Sequence, residues 1–321
     1  MKIVVVDPNL APHREQFEAL LPSGCDVEWF TGGAPDSELR DADVFVGSRF
    51  TAEMAGHAKK LRLVHPAAAG TDRIDIGALT PDILVANTFH HERSIAEYVV
   101  GAAVMLHRGF LTQDKQLRDG VWGTSVYDRS MPQIPTLAEA QVGFVGFGHI
   151  GQFAWKLLQP FGCTAAAVTG SGRGADDAGL KWVGDTSRLD RLMRESDVVV
   201  VSAPLNSHTE GMIGASQLEA LGPDGVLINV GRGPLVQERA LFDALTSGVI
   251  KGAAIDVWYR YPVDGIGCTP SHLPFEKLPN ILMTPHSSGV TRDTFAGRAG
   301  DVADNIGRLV RGEPLRNLVR G

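Results

Sequence analysis

Three polar residues, Arg232, Asp256 and His286, stand at or just after the ends of apolar runs that are typical of buried β-strands. A guanidinium stabilises negative charge that develops on an oxygen atom, and an imidazole is suited to donate a proton near neutral pH. Separately, the three have ordinary explanations as a surface arginine, a strand-end cap and a loop histidine. Together they indicate a reactive site at one sheet edge, after the predicted strands Val226–Val230, Gly252–Ile255 and Ile281–Thr284.

A glycine motif points to the second component of such a site. Gly146, Gly148 and Gly151 have the spacing G-x-G-x-x-G between an apolar run and a helical pattern over Gln152–Phe161. They would allow a tight turn, the approach of a pyrophosphate and close packing of helix on strand, with the anion at the positive helix end. The motif predicts dinucleotide binding; the alternative is a glycine-rich turn that binds nothing.

A dinucleotide turn combined with an arginine and a histidine fits hydride transfer to a carbonyl group. The carbonyl oxygen gains negative charge as hydride arrives, and Arg232 would stabilise that charge. The same oxygen needs a proton, which His286 would donate. Gly231 and Gly233 are expected to leave the surroundings of Arg232 uncrowded.

Composition limits the class of protein. The chain has 321 residues, 44% apolar and 21% charged, which predicts an ordinary globular protein of two domains. A net charge of −7 and the lack of any Lys/Arg run argue against a nucleic-acid partner. No apolar run approaches the roughly 20 residues that span a bilayer, and no targeting peptide is evident. Three scattered cysteines, Cys25, Cys163 and Cys268, agree with a soluble protein of the reducing cytoplasm.

The order of predicted elements indicates an α/β fold. Residues 1–90 alternate short strands with helical stretches, which implies a parallel sheet covered on both faces. Ser94–Leu117 reads as one long bridging helix that begins with a capping-box pattern, and the glycine motif then opens a second α/β unit. Arg292–Arg311 is predicted to be an amphipathic helix that returns to the first unit. The other predicted elements are strands Ile3–Val6, Val27–Phe30, Val44–Val46, Leu61–His65, Ile83–Ala86, Thr164–Val168 and Val198–Ser202, and helices His13–Leu21 and Ala52–Ala58.

A loop of small residues, Ala67–Asp75, follows the predicted strand Leu61–His65. Beyond the carboxyl end of a parallel strand, such a loop offers bare N–H groups to a small carboxylate. A tight turn that packs for its own sake is an equal alternative.

With these residues the chain resembles the D-2-hydroxyacid dehydrogenase family, which includes phosphoglycerate, glyoxylate/hydroxypyruvate and formate dehydrogenases. The resemblance runs over nearly the full length. It is carried by AAAGTDRID (67–75), RSIAE (93–97), VGFVGFGHIG (142–151), SDVVVVSAPLNSHTEGMI (196–213), INVGRGPLV (228–236), AAIDVW (253–258) and TPHSSG (284–289).

The resemblance implies an α/β architecture of two doubly wound parallel sheets. A Rossmann cofactor domain, residues 94–289, would be inserted into a flavodoxin-like substrate domain, residues 1–93 and 290–321, and the protein would be a homodimer. Arg232 would bind and polarise a 2-oxo acid, and His286 would be the acid/base. The substrate carboxylate would be held by backbone near Ala69 and Gly70, with Asp256 near the nicotinamide. Further cofactor contacts implied are His149, Ile150, Pro204, Thr209, Val230 and Gly231.

One departure from the family pattern lies five residues after Asp256. Family members usually carry a glutamate there that pairs with the histidine, and this chain has Tyr261. A carboxylate orients the imidazole and raises its pKa, whereas a neutral tyrosine would only orient it. Formate dehydrogenases of the family also lack the glutamate, so hydride transfer is not excluded. Glu276 or Asp264 is a less favoured source of charge.

A second departure concerns the cofactor. The position where an acidic residue binds the ribose 2′-hydroxyl of NAD is Thr169. With no carboxylate there, the hydroxyls of Thr169 and Ser171 and the guanidinium of Arg173 would accommodate a 2′-phosphate. NADPH is therefore predicted over NADH. The alternative is a flexible glycine loop with a solvated arginine and no preference between the two cofactors.

His90 and His91 precede the predicted helix at Ser94. His91 would contribute to the substrate pocket, by analogy to an asparagine of the formate enzymes, although exposed loop histidines are the simpler explanation. No zinc site is predicted, because cysteines or a third histidine at suitable spacing are lacking.

Three functions compete. The first is an NADPH-dependent reductase of a small 2-oxo acid. The second is oxidation of formate or another small oxyanion on the same fold. The third is a dinucleotide-binding sensor without turnover, for which no basic patch or appended tail provides support.

Overall fold

The computed structural model describes residues 1–174, 178–263 and 266–320. The chain divides into two compact units, residues 1–91 with 290–321 and residues 92–289. In each unit strands alternate with helices, and the predicted α/β class with two doubly wound, mostly parallel sheets is confirmed. In the ranges described, no helix is long and apolar enough to cross a membrane.

The first unit is built on a sheet of flavodoxin-like order. Numbered along the chain, its strands are β1 (Lys2–Val5), β2 (Asp26–Trp29), β3 (Val44–Val46), β4 (Leu63–Val64), β5 (Leu84–Ala86) and β13 (Leu318–Arg320). Over the described residues the order is β13-β5-β4-β3-β1-β2, with β1 to β5 parallel and β13 antiparallel to β5. The sequence does not predict β13, because three mostly exposed residues carry no alternating pattern.

Helices cover both faces of the first sheet. They are α1 (Arg14–Leu20), α2 (Asp36–Asp41), α3 (Ala52–His57) and α10 (Arg292–Arg311). Ile3 and Val5 of β1 pack in a core with α1 and α10, whereas Val4 packs on the other side with Leu39 of α2. Burial on both faces explains why the strands appear in the sequence as continuous apolar runs.

The second unit has the strand order of a dinucleotide-binding fold. Its strands are β6 (Gln141–Val145), β7 (Thr164–Val168), β8 (Val183–Gly184), β9 (Val198–Val201), β10 (Val226–Asn229), β11 (Gly252–Ile255) and β12 (Ile281–Met283). Within the described ranges they form one parallel sheet in the order β12-β11-β10-β9-β6-β7-β8. The order reverses at β6, between β7 and β9, and ligands bind beyond the carboxyl ends of strands at such a point.

The helices of the second unit correct three predictions. They are α4 (Glu92–His107), α5 (Phe110–Arg118), α6 (His149–Leu158), α7 (Leu189–Glu195), α8 (Ala215–Leu221) and α9 (Glu238–Thr246). The single helix Ser94–Leu117 is wrong, because Gly109 adopts a left-handed conformation (φ 69°) and separates α4 from α5. Ser94 lies inside the first turn of α4, so it is not an N-cap. Helix α6 begins at His149, three residues before the predicted start.

His65, at the carboxyl end of β4, is a fully buried histidine. Its Nε2 lies 2.9 Å from the side-chain amide nitrogen of Asn305, and its Nδ1 lies 3.0 Å from the carbonyl oxygen of Pro66. The amide donates to Nε2, so the proton of a neutral ring is on Nδ1. Burial lowers the pKa of His65 from 6.5 to about 4.

We expect the free energy of unfolding to decrease as the pH falls from 6.5 to about 4. Below pH 6.5 the unfolded chain takes up a proton that the folded His65 excludes, and below the folded pKa the difference no longer grows. A shift of this size corresponds to about 3 kcal/mol. Urea unfolding at several pH values checks this against His65→Gln, which should show the shallower pH dependence; equal dependences would contradict it.

Candidate active site

The turn after β6 contains three glycines. A side chain would clash with neighbouring atoms at two of them and would block an approaching ligand at the third. Gly146 has a φ of 92°, and a Cβ there would lie 2.6 Å from the backbone nitrogen of Ala203. A Cβ on Gly151 would lie 2.8 Å from the carbonyl oxygen of Gly146, so α6 packs directly on the turn. Gly148 is the N-cap of α6, and a Cβ there would have no described atom within 4 Å. These residues fit a pyrophosphate at the helix N-terminus.

For Gly148→Ala we expect unchanged thermal stability and about tenfold weaker dinucleotide binding, since the methyl group would project into the space that a phosphate approaches. Its φ of −81° is accessible to alanine. Thermal melts and fluorescence titration with NADPH and NADH check this. Gly101→Ala is the matched control, because Gly101 of α4 also has open space at its Cβ position. A lowered melting temperature with unchanged affinity would contradict the assignment.

Arg232 follows β10 in extended backbone (φ −143°). A Cβ on Gly233 would collide with the carbonyl group of Trp258, and one on Gly231 would lie 2.8 Å from Cδ1 of Leu235. The expectation that these glycines leave Arg232 uncrowded is therefore wrong, because the space beside both is filled. The chain after β11 packs against Gly233, and Leu235 and the carbonyl oxygen of Ala203 lie against Gly231. Arg232 is half-buried, and its Nη1 donates a hydrogen bond to the carbonyl of Gly231 (2.8 Å).

Asp256, after β11, holds the loop that carries His286. The Asp256 side chain is buried and accepts hydrogen bonds from Oγ1 of Thr284 (2.6 Å) and from the backbone N–H of Ser287 (2.9 Å). It also accepts from the N–H (3.1 Å) and hydroxyl of Ser288. His286 itself is exposed and left-handed (φ 58°), so these bonds to its neighbours hold a backbone conformation that is uncommon for a non-glycine residue.

The ends of β10, β11 and β12 are thus joined side by side. Gly233 after β10 packs on Trp258 after β11, and Asp256 at β11 bonds the loop after β12. Arg232 and His286 follow the outer two of these three adjacent strands. A cation, a buried carboxylate and an imidazole therefore stand along one edge of the sheet that carries the glycine turn.

Residues 100–288 match the model of the D-isomer specific 2-hydroxyacid dehydrogenase, NAD binding domain. The chain belongs to the D-isomer specific 2-hydroxyacid dehydrogenase family. The resemblance inferred from the motifs is confirmed, and the match indicates a nicotinamide dinucleotide as cofactor.

Curated relatives and a solved structure resemble the chain over most of its length. The D-3-phosphoglycerate dehydrogenase of Methanocaldococcus jannaschii is 29% identical over 99% of the chain, which spans 59% of that protein's length. The mitochondrial formate dehydrogenase of Solanum tuberosum is 31% identical over 89% of the chain and 76% of its own length. A family protein from Aeromonas salmonicida subsp. salmonicida shares the fold, with a TM-score of 0.84 at 23% identity, covering 99% of this chain and 98% of that one.

Tyr261 lies five residues after Asp256, at the position where the family resemblance predicts a glutamate. Its ring lies beside that of His286, with centroids 5.6 Å apart and planes inclined at 55°. Its hydroxyl oxygen accepts a hydrogen bond from the backbone N–H of Trp258 (3.1 Å). The phenol ring packs against the imidazole, and its role in orienting that imidazole stays a prediction, as does any role of Glu276. Asp264 lies outside the described residues.

The turn after β7 contains the residues predicted to bind a 2′-phosphate. Oγ1 of Thr169 donates to the carbonyl of Arg173 (2.9 Å), and Oγ of Ser171 accepts from the N–H of Arg173 (3.4 Å). Gly172 between them is left-handed (φ 68°), and Arg173 is exposed. The three residues share one closed turn at the carboxyl edge of β7, and their contact with a cofactor stays a prediction.

Asp185 is a neighbour of this turn that the sequence analysis missed. A Cβ on Gly172 would lie 3.5 Å from the Cβ of Asp185. The carboxylate accepts hydrogen bonds from the hydroxyl (2.6 Å) and N–H (3.0 Å) of Ser187, and these bonds lower the pKa of Asp185. Asp185 follows β8, whose two residues are too few to show strand periodicity. A negative charge therefore stands near the turn at neutral pH.

The remaining candidate cofactor residues lie at the carboxyl ends of neighbouring strands. His149 and Ile150 open α6, and Nδ1 of His149 lies 3.5 Å from a carboxylate oxygen of Glu92. In the turn after β9, Oγ1 of Thr209 donates to the carbonyl of Pro204 (2.7 Å). Two others follow β10, the buried residues Val230 and Gly231. Their contacts with a cofactor stay predictions.

The candidate substrate residues of the first unit follow β4 and β5. The carbonyl of Ala69 accepts a hydrogen bond from the side-chain amide of Asn87 (2.7 Å), and Gly70 comes next in the chain. The ring of His91 stacks on Phe89, with centroids 6.3 Å apart and planes 25° from parallel. Contact of Ala69, Gly70 and His91 with a substrate stays a prediction. In the part of the chain described, no cluster of three or more His, Cys, Asp or Glu side chains suits a metal ion.

Proposed function

We propose that the protein is an NADPH-dependent reductase that converts a small 2-oxo acid to the D-2-hydroxy acid. One observation carries the proposal: Arg232, Asp256 and His286 follow three adjacent parallel strands of the sheet whose β6 ends in the glycine turn. Membership of the D-2-hydroxyacid dehydrogenase family supports it. NADH is the alternative cofactor.

The side chains have separate roles at the carbonyl group of the substrate. The bound nicotinamide supplies the hydride. The guanidinium of Arg232 stabilises the negative charge that appears on the substrate oxygen, and the imidazole of His286 donates the proton to that oxygen. Asp256 fixes the His286 loop, and Tyr261 packs against the ring in place of the glutamate.

The first unit would bind the acid group of the substrate. We assign the carboxylate to the backbone N–H groups around Ala69 and Gly70, and a polar contact with the substrate to His91. Residues 1–93 with 290–321 would then be the substrate domain and residues 94–289 the cofactor domain.

Turnover assays test the proposal. Purified protein is offered NADPH with glyoxylate, hydroxypyruvate or pyruvate, and NADP⁺ or NAD⁺ with formate, following absorbance at 340 nm. Reduction of a 2-oxo acid, lost in Arg232→Ala, supports the proposal. Tight NADPH binding without turnover of any acid would contradict it.

Formate oxidation is the second candidate. It is favoured by Tyr261, since a neutral residue replaces the glutamate, as in the formate dehydrogenases, and by the 31% identity to the Solanum tuberosum enzyme. Formate-dependent formation of NADH or NADPH, with no reduction of 2-oxo acids, would establish it over the reductase.

We further propose that the protein acts as a homodimer. Six large apolar side chains are exposed within residues 110–127, and the rings of Trp122 and Tyr127 pack edge to face with centroids 5.3 Å apart. Exposed apolar side chains that lie together are typical of protein–protein interfaces. The exposed side chains are Phe110, Leu117, Val121, Trp122, Val126 and Tyr127.

We expect light scattering after size-exclusion chromatography to give the mass of two chains, and Trp122→Glu combined with Tyr127→Glu to give the mass of one. A buried charge at an interface without a partner opposes association. Leu20→Glu, at a singly exposed leucine of the first unit, is the control and should leave the mass unchanged. A wild-type monomer would contradict the proposal.

A further inference from the structure

One face of helix α10 contacts the short segment that follows β5 in the first unit. Thr294, Gly297, Arg298 and Asp301 recur at i, i+3, i+4 and i+7, the spacing of a single helical face. We call these four residues the α10 contact face. They touch residues 88–90, which follow β5 and lead directly to His91.

Asp301 contributes the acidic contact of this face. Its Oδ2 accepts hydrogen bonds from the hydroxyl of Thr88 (2.6 Å) and from Nε2 of His90 (2.9 Å). Thr88 is fully buried, and the Asp301 side chain is mostly buried at 26% exposure. One carboxylate oxygen thus fixes two side chains of the segment.

Two further contacts hold the backbone of the segment. Nε of the buried Arg298 donates to the carbonyl of Phe89 (2.8 Å). Oγ1 of Thr294 donates to the carbonyl of His90 (3.3 Å). The backbone of residues 89 and 90 is therefore bonded to α10, in addition to the side chains of Thr88 and His90.

His90 has an uncommon backbone conformation beside the α10 contact face. Its φ of 68° is in the left-handed region, which non-glycine residues rarely occupy. Its ring lies against the bare Cα of Gly297, where an added Cβ would come 2.5 Å from Nδ1 and 2.6 Å from Cγ of the ring. With the ring in this place, Nε2 reaches Asp301.

The same segment is bonded to the loop that we assign to the substrate carboxylate. The N–H of Thr88 donates to the carbonyl of Ala68 (3.1 Å), and the side-chain amide of the preceding residue, Asn87, donates to the carbonyl of Ala69 (2.7 Å). A continuous set of hydrogen bonds therefore leads from α10 through residues 87–90 to the loop at Ala69 and Gly70.

We propose that His90, Gly297 and Asp301 are positioning residues for the substrate acid. They hold residues 87–91 and, through them, Ala69, Gly70 and His91, in the geometry that binds the 2-oxo acid. The inference rests on the proposed function. Because these residues act on substrate binding, their loss raises KM, whereas kcat and the affinity for NADPH stay close to the wild-type values.

Two glycines of α10 give a matched test. Gly297→Ala places a methyl group against the His90 ring. The methyl group of Gly300→Ala would have no described atom within 4 Å. We expect Gly297→Ala to raise KM for the 2-oxo acid about tenfold, with kcat and the Kd of NADPH within about twofold of wild type. Gly300→Ala should leave all three values unchanged. Equal KM values in the two variants would overturn the proposal.

Variants at His90 separate positioning from a general loss of structure. In a His90→Ala background the ring is gone, so Gly297→Ala should no longer change KM, which is a non-additive double-mutant cycle. His90→Asn should retain most of the wild-type KM, because asparagine tolerates positive φ and its amide can donate toward Asp301. Asp301→Leu should raise KM as Gly297→Ala does. Additive effects in the cycle would overturn the proposal.

Amide hydrogen exchange tests the positioning without any turnover. Peptides covering residues 87–91 should exchange at least about tenfold faster in Gly297→Ala than in Gly300→Ala. Unchanged exchange overturns the proposal, whatever the activity. A wild-type protein that reduces no 2-oxo acid, but shows the faster exchange in Gly297→Ala, would refute the proposed function and leave the structural role of the contact face supported.

Discussion

Replacing Arg232 by alanine, or His286 by glutamine, is expected to lower kcat/KM for the accepted 2-oxo acid by about 10³-fold. Arg232 would stabilise the charge on the substrate oxygen, and loss of such a donor costs about 10²–10³ in rate. His286 would donate the proton, and loss of a positioned acid costs about 10²–10⁴. Steady-state kinetics with NADPH measure both effects.

Comparing several variants identifies the cause of the lower kcat/KM. Arg232→Lys should lose less than Arg232→Ala, since lysine keeps the charge but not the planar pair of donors that matches an acid. The Kd of NADPH should change little in all three variants. Arg239→Ala is the control, because Arg239 of α9 is an exposed arginine paired with Asp243. Wild-type kcat/KM in both Arg232→Ala and His286→Gln would refute the assignment.

Much of the fold could be predicted because the signals are local. Strands buried on both faces appear as apolar runs, and Thr164–Val168 and Gly252–Ile255 have the predicted bounds. Helix α10 also has its predicted bounds, since Thr291 caps its start by accepting from the N–H of Thr294 and left-handed Gly312 ends it. The break at Gly109 was missed, because the apolar periodicity continues across it.

The candidate site could be predicted where strand order alone determines position. Arg232, Asp256 and His286 follow β10, β11 and β12, and strands that are consecutive in the chain are usually neighbours in the sheet, as these three are. The packing of Gly233 on Trp258 could not be predicted, because it depends on the path of a loop after another strand.

Pairs that are distant in sequence also escape prediction. Asp185 approaches Gly172 from a different strand, and His90 meets Asp301 across 211 residues. Neither pair follows a period or a motif, so only the folded chain reveals them. His90 is an exposed loop histidine, as predicted, and only its bond to Asp301 could not be foreseen.

The second large effect is expected on the choice of cofactor. Arg173→Ala should lower kcat/KM with NADPH by about 10–100-fold and change that with NADH by less than about twofold, because a charged hydrogen bond to the 2′-phosphate is lost. Thr169→Asp should reverse the preference, since a carboxylate repels the phosphate and accepts a hydrogen bond from the ribose 2′-hydroxyl of NADH. The measurement is the ratio of the two kcat/KM values in each variant.

Asp185 is expected to limit the proposed preference for NADPH in the wild type. Its carboxylate is ionised at neutral pH and lies near the turn, so it opposes a phosphate, and Asp185→Asn should raise kcat/KM with NADPH while leaving that with NADH nearly constant. Arg239→Ala should leave the ratio unchanged, which separates a local contact at Arg173 from a change in total charge. The prediction is contradicted if the wild type prefers NADH and Arg173→Ala does not alter that preference. The turn after β7 would then bind a ribose that carries no 2′-phosphate.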